Sequence, residues 1–308
     1  MAQALSVAEI AQRALNGTEV QRCRLAALQD APAELLMLLA GDAASAVREA
    51  VACNPATPSP ADRLLCQDPV TQVRASLARK LGADAVALMD DALPRRRHPA
   101  RDALLLLAAD VDAAVRGALA DALADLPDAP RELVLALARD EVLAVCEPLL
   151  RLSAALREAD MMRLVQDSPH PHVRPALARR LHVAARVAEA LLATGDRVAT
   201  LALLRNGTAR VAPAVLARLA RQAPVMPWLQ EELVIHRGLP EAARNALVPR
   251  LAWDVLQRLA QRTDLPSAAM QALRQCSAVG MIWSDDAATP ARVIEASQNR
   301  NMMVAQRR

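Results

Sequence analysis

The stretch from Asp42 to Ala78 decides the fold, because one phrase occurs twice within it. The first copy is Asp42-Ala43-Ala44-Ser45-Ala46-Val47-Arg48-Glu49-Ala50-Val51-Ala52, and the second is Asp68-Pro69-Val70-Thr71-Gln72-Val73-Arg74-Ala75-Ser76-Leu77-Ala78. Each copy consists of Asp, four residues, Val-Arg, two residues, an aliphatic residue and Ala. Such internal repeats indicate stacked structural units.

The phrase returns at Asp110 with Arg116, and once more, one residue longer, at Asp167 with Arg174. In the first copy Val47 and Val51 lie four positions apart and form one apolar face of a helix. An Asp just before such a helix can accept from first-turn amides and also meet the Arg of an adjacent repeat. We therefore predict a ladder of ion pairs that fixes the register of the stack; a binding stripe on a concave face is the alternative. The predicted ladder comprises Asp42, Arg48, Asp68, Arg74, Asp110, Arg116, Asp167 and Arg174.

Composition favours close packing of helices. Apolar residues make up 54% of the 308 residues, yet the chain has no Phe, no Tyr and only 3 Trp. Strands favour aromatic and β-branched side chains, whereas Ala and Leu suit helix-on-helix contacts. Short predicted helices, such as Val173 to Leu181 and Arg197 to Arg205, are bounded by Gly, Pro or Asp and follow one another along the chain. A single unit of this size cannot bury its own apolar face. The sequence predicts an all-α fold, an irregular α-solenoid of short antiparallel helix pairs.

Three regions are predicted. The proline-containing stretch Asp125–Pro130 is the best boundary between two halves, and the helical pattern fades from Ser277. We therefore expect helical repeats over 1–130, a second helical-repeat domain over 131–276, and a flexible tail with a last helix over 277–308.

Charge and hydropathy exclude several function classes. The net charge is +3 with both signs interspersed, which gives no strong electrostatic footprint for nucleic acid or an anionic membrane. The five cysteines are scattered without a Cys-x-x-Cys pair, so neither a zinc knuckle nor a disulfide framework is indicated. No apolar run is long enough for a membrane span, and the first residues lack a signal-peptide pattern. The expected location is the cytoplasm.

The repeated Asp and Val-Arg phrase resembles the second helix of HEAT repeats, a family of helical solenoids, and this implies a HEAT-like superhelix. Asn54-Pro55-Ala56-Thr57-Pro58 is similar to the related leucine-rich-repeat variant, whose iron–sulfur cluster needs clustered cysteines that this chain lacks. The stretch from about Arg139 to Arg274 resembles an uncharacterised bacterial family known only as a domain of unknown function. Its phrases include Asp140-Glu141-Val142 and the Leu239-Pro240 and Leu265-Pro266 starts. That resemblance implies a helical fold and no particular activity.

Basic and aromatic residues supply the candidate interaction positions. Arg95, Arg96, Arg97 and Arg101 could contact nucleic-acid phosphates; a solvated turn between helices is the alternative, and no stacking aromatic residue lies nearby. Trp228 and Trp253 could pack in the core or anchor a partner.

Catalytic and metal-binding patterns are weak. His170 and His172 beside Asp167 form a partial set for a transition metal, but a polar turn that precedes a helix is the simpler interpretation. Cys146 lies among apolar helical residues, which favours a buried thiol over a nucleophile. There is no Gly-rich phosphate loop, no His-Glu-x-x-His and no serine elbow. We predict no catalytic residue, no metal and no cofactor.

The function expected from these patterns is a non-catalytic scaffold or adaptor that binds a protein partner on its concave surface. The alternative is a nucleic-acid-binding protein, possible because some HEAT-like proteins are DNA glycosylases. An enzyme acting on a tetrapyrrole or similar ligand is a third hypothesis by fold-level analogy.

Overall fold

The computed structural model describes residue 12 and residues 14–89 and 99–275, and that part of the chain is helical without any strand. The all-α class predicted from the sequence is thus confirmed. The chain divides into two compact units, Met1–Arg180 and Leu181–Arg308.

The first unit contains short helices joined by tight turns. Their bounds are α1 Glu19–Ala26, α2 Ala33–Leu39, α3 Ser45–Cys53, α4 Ser59–Leu65, α5 Thr71–Ala83, α6 Ala85–Leu88, α7 Pro99–Ala108, α8 Ala113–Ala124, α9 Arg131–Leu137, α10 Leu143–Leu152, α11 Glu158–Asp167 and α12 Val173–Ala178.

Helices of the first unit pack on alternate neighbours rather than only on the next helix. One series of contacts runs α1, α3, α5, α8, α10, α12, and a second runs α2, α4, α7, α9. The buried leucines of the second series, which include Leu36, Leu65, Leu104 and Leu137, face the first series and supply much of the core. We call the first series the ladder row and the second the outer row. The turns from α2 to α3, from α4 to α5 and from α7 to α8 each carry one Asp of the repeated phrase.

Local sequence sets where these helices begin. Thr18 caps α1 in a capping box with Gln21, in which each side chain accepts from the other residue's amide. Pro32, Pro58 and Pro130 precede α2, α4 and α9, where a residue without an amide proton costs no helical hydrogen bond.

The second unit continues with helices of similar length. They are α13 Ala185–Ala193, α14 Arg197–Arg205, α15 Pro213–Gln222, α16 Pro227–Ile235, α17 Glu241–Leu247, α18 Trp253–Ala260 and α19 Ser267–Gln275, with 3₁₀ turns at Ala223–Val225 and Val248–Arg250. Here too alternate helices are in contact: α14 with α16, α16 with α18, α15 with α17, and α17 with α19.

The observed division differs from the predicted one near residue 130. Pro130 caps the start of α9, and Leu126 and Ala129 donate backbone hydrogen bonds that close a tight turn after α8. The proline-rich stretch is therefore a helix start inside the first unit. The tail predicted over 277–308 lies outside the described residues.

None of the described helices is both long enough and apolar enough to cross a bilayer.

Candidate interaction sites

Each rung of the ladder row joins one repeat to the next. Arg48 Nε donates to Asp68 Oδ2 at 2.6 Å, and its Nη2 donates to Oδ1 at 3.0 Å. Its Nη1 turns back and donates at 2.9 Å to the carbonyl oxygen of Asp42, the first residue of its own phrase. Asp68 Oδ1 also accepts from the Val70 amide at 2.8 Å. The guanidinium is thus held on two sides, and the carboxylate at the same time orders the entry to the next helix.

The same geometry recurs along the row. Further pairs with Nε–Oδ2 distances of 2.6–2.7 Å are Arg22–Asp42, Arg74–Asp110 and Arg116–Asp140. The Nη1 atoms of Arg74 and Arg116 both donate to the carbonyl of their own phrase's Asp at 2.7 Å. These residues form what we call the ladder.

Burial and hydrogen bonding compete at the ladder carboxylates. Burial alone raises the pKa of Asp68, but hydrogen bonds from Arg48 and the Val70 amide outweigh it, so the pKa lies below its ordinary value. The pKa values of Asp42 and Asp140 are lowered by the same balance. Because each guanidinium already donates to a carboxylate and to a carbonyl, the ladder presents little free charge to a ligand.

The fourth predicted rung has a different geometry. Arg174 Nε donates to the Val165 carbonyl at 3.0 Å, and Asp167 is an exposed residue at the end of α11. The extra residue of this phrase lies before the helix, so Asp167 stands one residue farther from Arg174 than the Asp of the other copies does from its Arg. Asp140 provides the last carboxylate instead, and Cys146 occupies the position that Arg holds in the other phrases.

Two ladder residues were missed by sequence reasoning. Asp140 precedes Val145 at the same spacing as Asp and Val in the first three copies of the phrase. A search for the phrase that did not require Arg after Val would therefore have found it. Arg22 lacks the preceding Asp, and its Nη1 donates to the Gly17 carbonyl at 2.7 Å. Only the aligned spacing to Asp42 could have indicated it.

The remaining sequence candidates do not converge on one site. Arg95, Arg96 and Arg97 lie outside the described residues, and Arg101 is half-buried in α7. The rings of His170 and His172 stack with centroids 5.5 Å apart. Within the described residues, no group of three or more His, Cys, Asp or Glu side chains could hold a metal ion.

Cys146 and the tryptophans also lack a catalytic setting. Burial raises the pKa of the Cys146 thiol to about 11, so the thiolate that a nucleophile requires is scarce at neutral pH. Trp228 is half-buried beneath the Arg197 guanidinium, 5.4 Å from the ring centroid, and Trp253 is half-buried at the start of α18.

The outer row exposes apolar side chains at equivalent positions. Leu38, Leu64 and Leu106 lie on α2, α4 and α7 and are 52%, 49% and 47% exposed. We call these three residues the leucine row. Each immediately precedes a buried leucine of its helix, and each stands four residues before a ladder aspartate. Since α2 contacts α4 and α4 contacts α7, the leucine row belongs to consecutive helices.

A cavity of about 840 Å³ lies in the second unit. The segment after α14, the end of α16 and Arg262 line it. We call it the arginine groove, after Arg205, Arg210, Arg237 and Arg262 in its wall. Glu231 and Glu232 lie in the same wall.

These features define a protein that is helical throughout its described residues, with ion pairs that join neighbouring helices of the first unit. The sequence model of a family described as an uncharacterised protein conserved in bacteria (DUF2336) matches residues 145–306. The match covers more than half of the chain, so the protein belongs to this family. The resemblance of the second half to an uncharacterised bacterial family is therefore confirmed. No curated protein and no solved structure matches the chain.

Proposed function

We propose that the protein is a non-catalytic scaffold or adaptor whose first unit is a HEAT-like α-solenoid that binds a protein partner. The exposed leucine row is the observation that carries the proposal. The alternating helix contacts and the ladder support the solenoid, because stacked repeats contact mainly their neighbours. A rigid stack of this kind presents one extended surface.

The leucine row provides the binding surface. Leucines exposed by about half at the same position of three consecutive outer helices form a repeated apolar feature rather than scattered surface residues. Met37 and Leu105, beside them, are 43% and 44% exposed. The proposed partner surface is therefore the outer row.

The partner that fits this surface is an apolar segment, such as one face of an amphipathic helix. Met37, Arg63 and Leu105 occupy equivalent positions in α2, α4 and α7, each just before a residue of the leucine row. Arg63 is the charged residue among these three. Its Nη1 lies 3.3 Å from Asp102 Oδ2, so an intramolecular carboxylate already balances it. The partner therefore needs to supply apolar contacts and no compensating charge at this point.

A comparison of two triple variants tests the proposal. The variant L38S/L64S/L106S removes the leucine row, and V111S/L143S/L152S removes three other exposed apolar side chains of the first unit as a control. Tagged full-length proteins are crosslinked in the native lysate, treated with nuclease and analysed by mass spectrometry. Circular dichroism checks that both variants remain folded.

We expect a defined protein that is captured by the wild type and the control and is lost from L38S/L64S/L106S. Capture that is equal for all three proteins would overturn the assignment of the surface. Material that disappears with nuclease would favour the nucleic-acid alternative. Capture of a second copy of the chain alone would replace the adaptor by a homo-oligomer.

A further inference from the structure

The arginine groove carries more positive charge than its own carboxylates balance. Arg205 Nη2 lies 2.5 Å from Glu232 Oε1, and Arg262 Nη1 lies 3.1 Å from Glu231 Oε1. Arg262 also contacts Asp264 at 2.7 Å. These pairs use both glutamates of the wall.

Arg210 and Arg237 remain available to a ligand. Both are exposed, and within the described part of the chain neither side chain forms an ion pair. His236 adds no charge at neutral pH, because burial, and then the nearby Arg244, lowers its pKa. Its Nδ1 accepts from the Gly238 amide at 3.1 Å. The groove therefore presents two free guanidinium groups next to two that are fixed.

Apolar side chains also line the groove. Leu204 is buried, and Ile235 and Val211 are half-buried among the lining residues. A ligand with apolar side chains between its charges would bury them here. Small clefts with an apolar lining and a few placed polar groups are the usual form of binding sites.

The lining disfavours nucleic acid. No tryptophan lines the groove, and the chain has no Phe or Tyr, so bases would find no aromatic platform for stacking. Glu231 and Glu232 would also repel a continuous phosphate backbone. A peptide places its carboxylates at intervals and can donate its amides to the wall, so it fits both signs of charge.

We propose that the arginine groove binds an acidic peptide segment of a partner protein, with its carboxylates on Arg210 and Arg237 and its apolar side chains on Leu204 and Ile235. Arginine forks bind carboxylates through paired, charge-assisted hydrogen bonds. The proposal rests on the adaptor function and gives the second unit a site of its own, separate in sequence from the leucine row.

Fluorescence anisotropy with the full chain tests the proposal. The probe is a labelled peptide of alternating glutamate and leucine, compared with its glutamine counterpart and with single-stranded DNA of equal charge. The test variant is R210Q/R237Q. The control R221Q/R250Q removes the same charge from exposed arginines that line a smaller cavity of the same unit. Circular dichroism confirms that both variants are folded.

We expect the glutamate peptide to bind at least about tenfold more tightly than the glutamine peptide, and R210Q/R237Q to lose about tenfold or more in affinity while the control changes little. Equal binding of the two peptides, equal loss in both variants, or no saturable binding would overturn the proposal. Tighter binding of DNA that R210Q/R237Q abolishes would replace the peptide by nucleic acid.

The leucine-row variant separates this proposal from the adaptor function. L38S/L64S/L106S should bind the glutamate peptide as the wild type does, because its substitutions lie in the other unit. Partner capture by a wild-type chain that shows no saturable binding of the glutamate peptide would overturn only the groove proposal. If neither the wild type nor any variant captured a partner, the proposed adaptor function would be overturned instead.

Discussion

Arg48 and Asp68 form a two-point contact between consecutive repeats, with Nε–Oδ2 and Nη2–Oδ1 distances of 2.6 Å and 3.0 Å. Their side chains are 13% and 4% exposed. In a buried pair the cost of desolvation offsets much of the attraction, so this pair fixes the geometry of the two repeats more than it adds stability. Removal of one partner leaves a buried charge behind.

Arg48→Met should therefore destabilise the protein. We expect a loss of about 3 kcal/mol, because Asp68 would keep its charge without its guanidinium. Urea unfolding followed by circular dichroism measures this change. The matched control is Arg63→Met, since the Arg63–Asp102 pair is exposed and should contribute less than about 1 kcal/mol. Equal effects of the two substitutions would contradict the structural role of the ladder.

The ladder also predicts acid sensitivity. The pKa values of Asp42, Asp68 and Asp140 are lowered in the folded protein, so at low pH the unfolded chain binds more protons than the folded chain. Their contribution is complete above the ordinary Asp pKa of about 3.9 and is lost as pH falls through the lowered values. We expect the free energy of unfolding to decline below about pH 5. Asp68→Asn should make that decline shallower, and an unchanged slope would argue against the assignment.

Gly82 marks a close contact between α5 and α8. A Cβ atom at this position would lie 2.7 Å from Ala122 Cβ and 3.0 Å from Leu119 Cδ1. Gly82→Ala should therefore force the helices apart, at a net cost of about 1 kcal/mol or more, although alanine favours helix. At Gly117, in α8, the nearest such atom is 3.9 Å away, so Gly117→Ala should stabilise by up to about 1 kcal/mol. Thermal melts of the two variants should shift in opposite directions; shifts of the same sign would show that this contact is not tight.

Asp62 and Lys80 form a buried pair at a core position. Asp62 occupies the place that Leu36, Leu104 and Val134 hold in the other outer helices. Lys80 Nζ lies 2.5 Å from its Oδ1. Burial raises the pKa of Asp62, and the attraction of Lys80 offsets only part of that effect. A position that is apolar in the other outer helices is thus occupied here by a charge, which the charge of Lys80 compensates.

We expect Lys80→Met alone to cost about 3 kcal/mol and the double variant D62L/K80M to be about as stable as the wild type. Denaturant unfolding of the two single variants and the double variant completes a double-mutant cycle. A double variant less stable than either single variant would contradict this expectation, because the pair would then contribute more than the mutual compensation of its two charges.

Sequence patterns predicted the helices better than their grouping. The helix predicted at Arg197–Arg205 is observed with the same bounds, because Asp196 caps its start and Asn206 ends it. The helix predicted from Val173 to Leu181 ends at Ala178, and His182 just beyond takes a left-handed conformation with φ of 61°. Such local signals fix where a helix begins or ends. They carry no information on which helices share a core, so they could not show that the two units divide after Arg180 rather than near Pro130.

The sites differ in how far the sequence could reveal them. Ladder positions recur with the repeated phrase, so the phrase was enough to identify Arg48 and Asp68. Arg22 lies outside any copy of the phrase and could not be identified in this way. The leucine row requires knowledge of which leucine of a pair is buried, as with Leu38 and Leu39. The arginine groove is assembled from segments far apart in the chain, and only the packing of α14 against α16 brings Arg205 beside Glu232.

Site-specific photo-crosslinking in the native host shows directly whether the leucine row contacts a partner. A benzophenone amino acid is placed at Leu64 on the outer row or at Arg79, an exposed position of α5 on the ladder row. We expect a nuclease-resistant adduct with one protein partner from position 64 and none from position 79. Adducts from position 79 alone, or from neither position, would contradict this expectation.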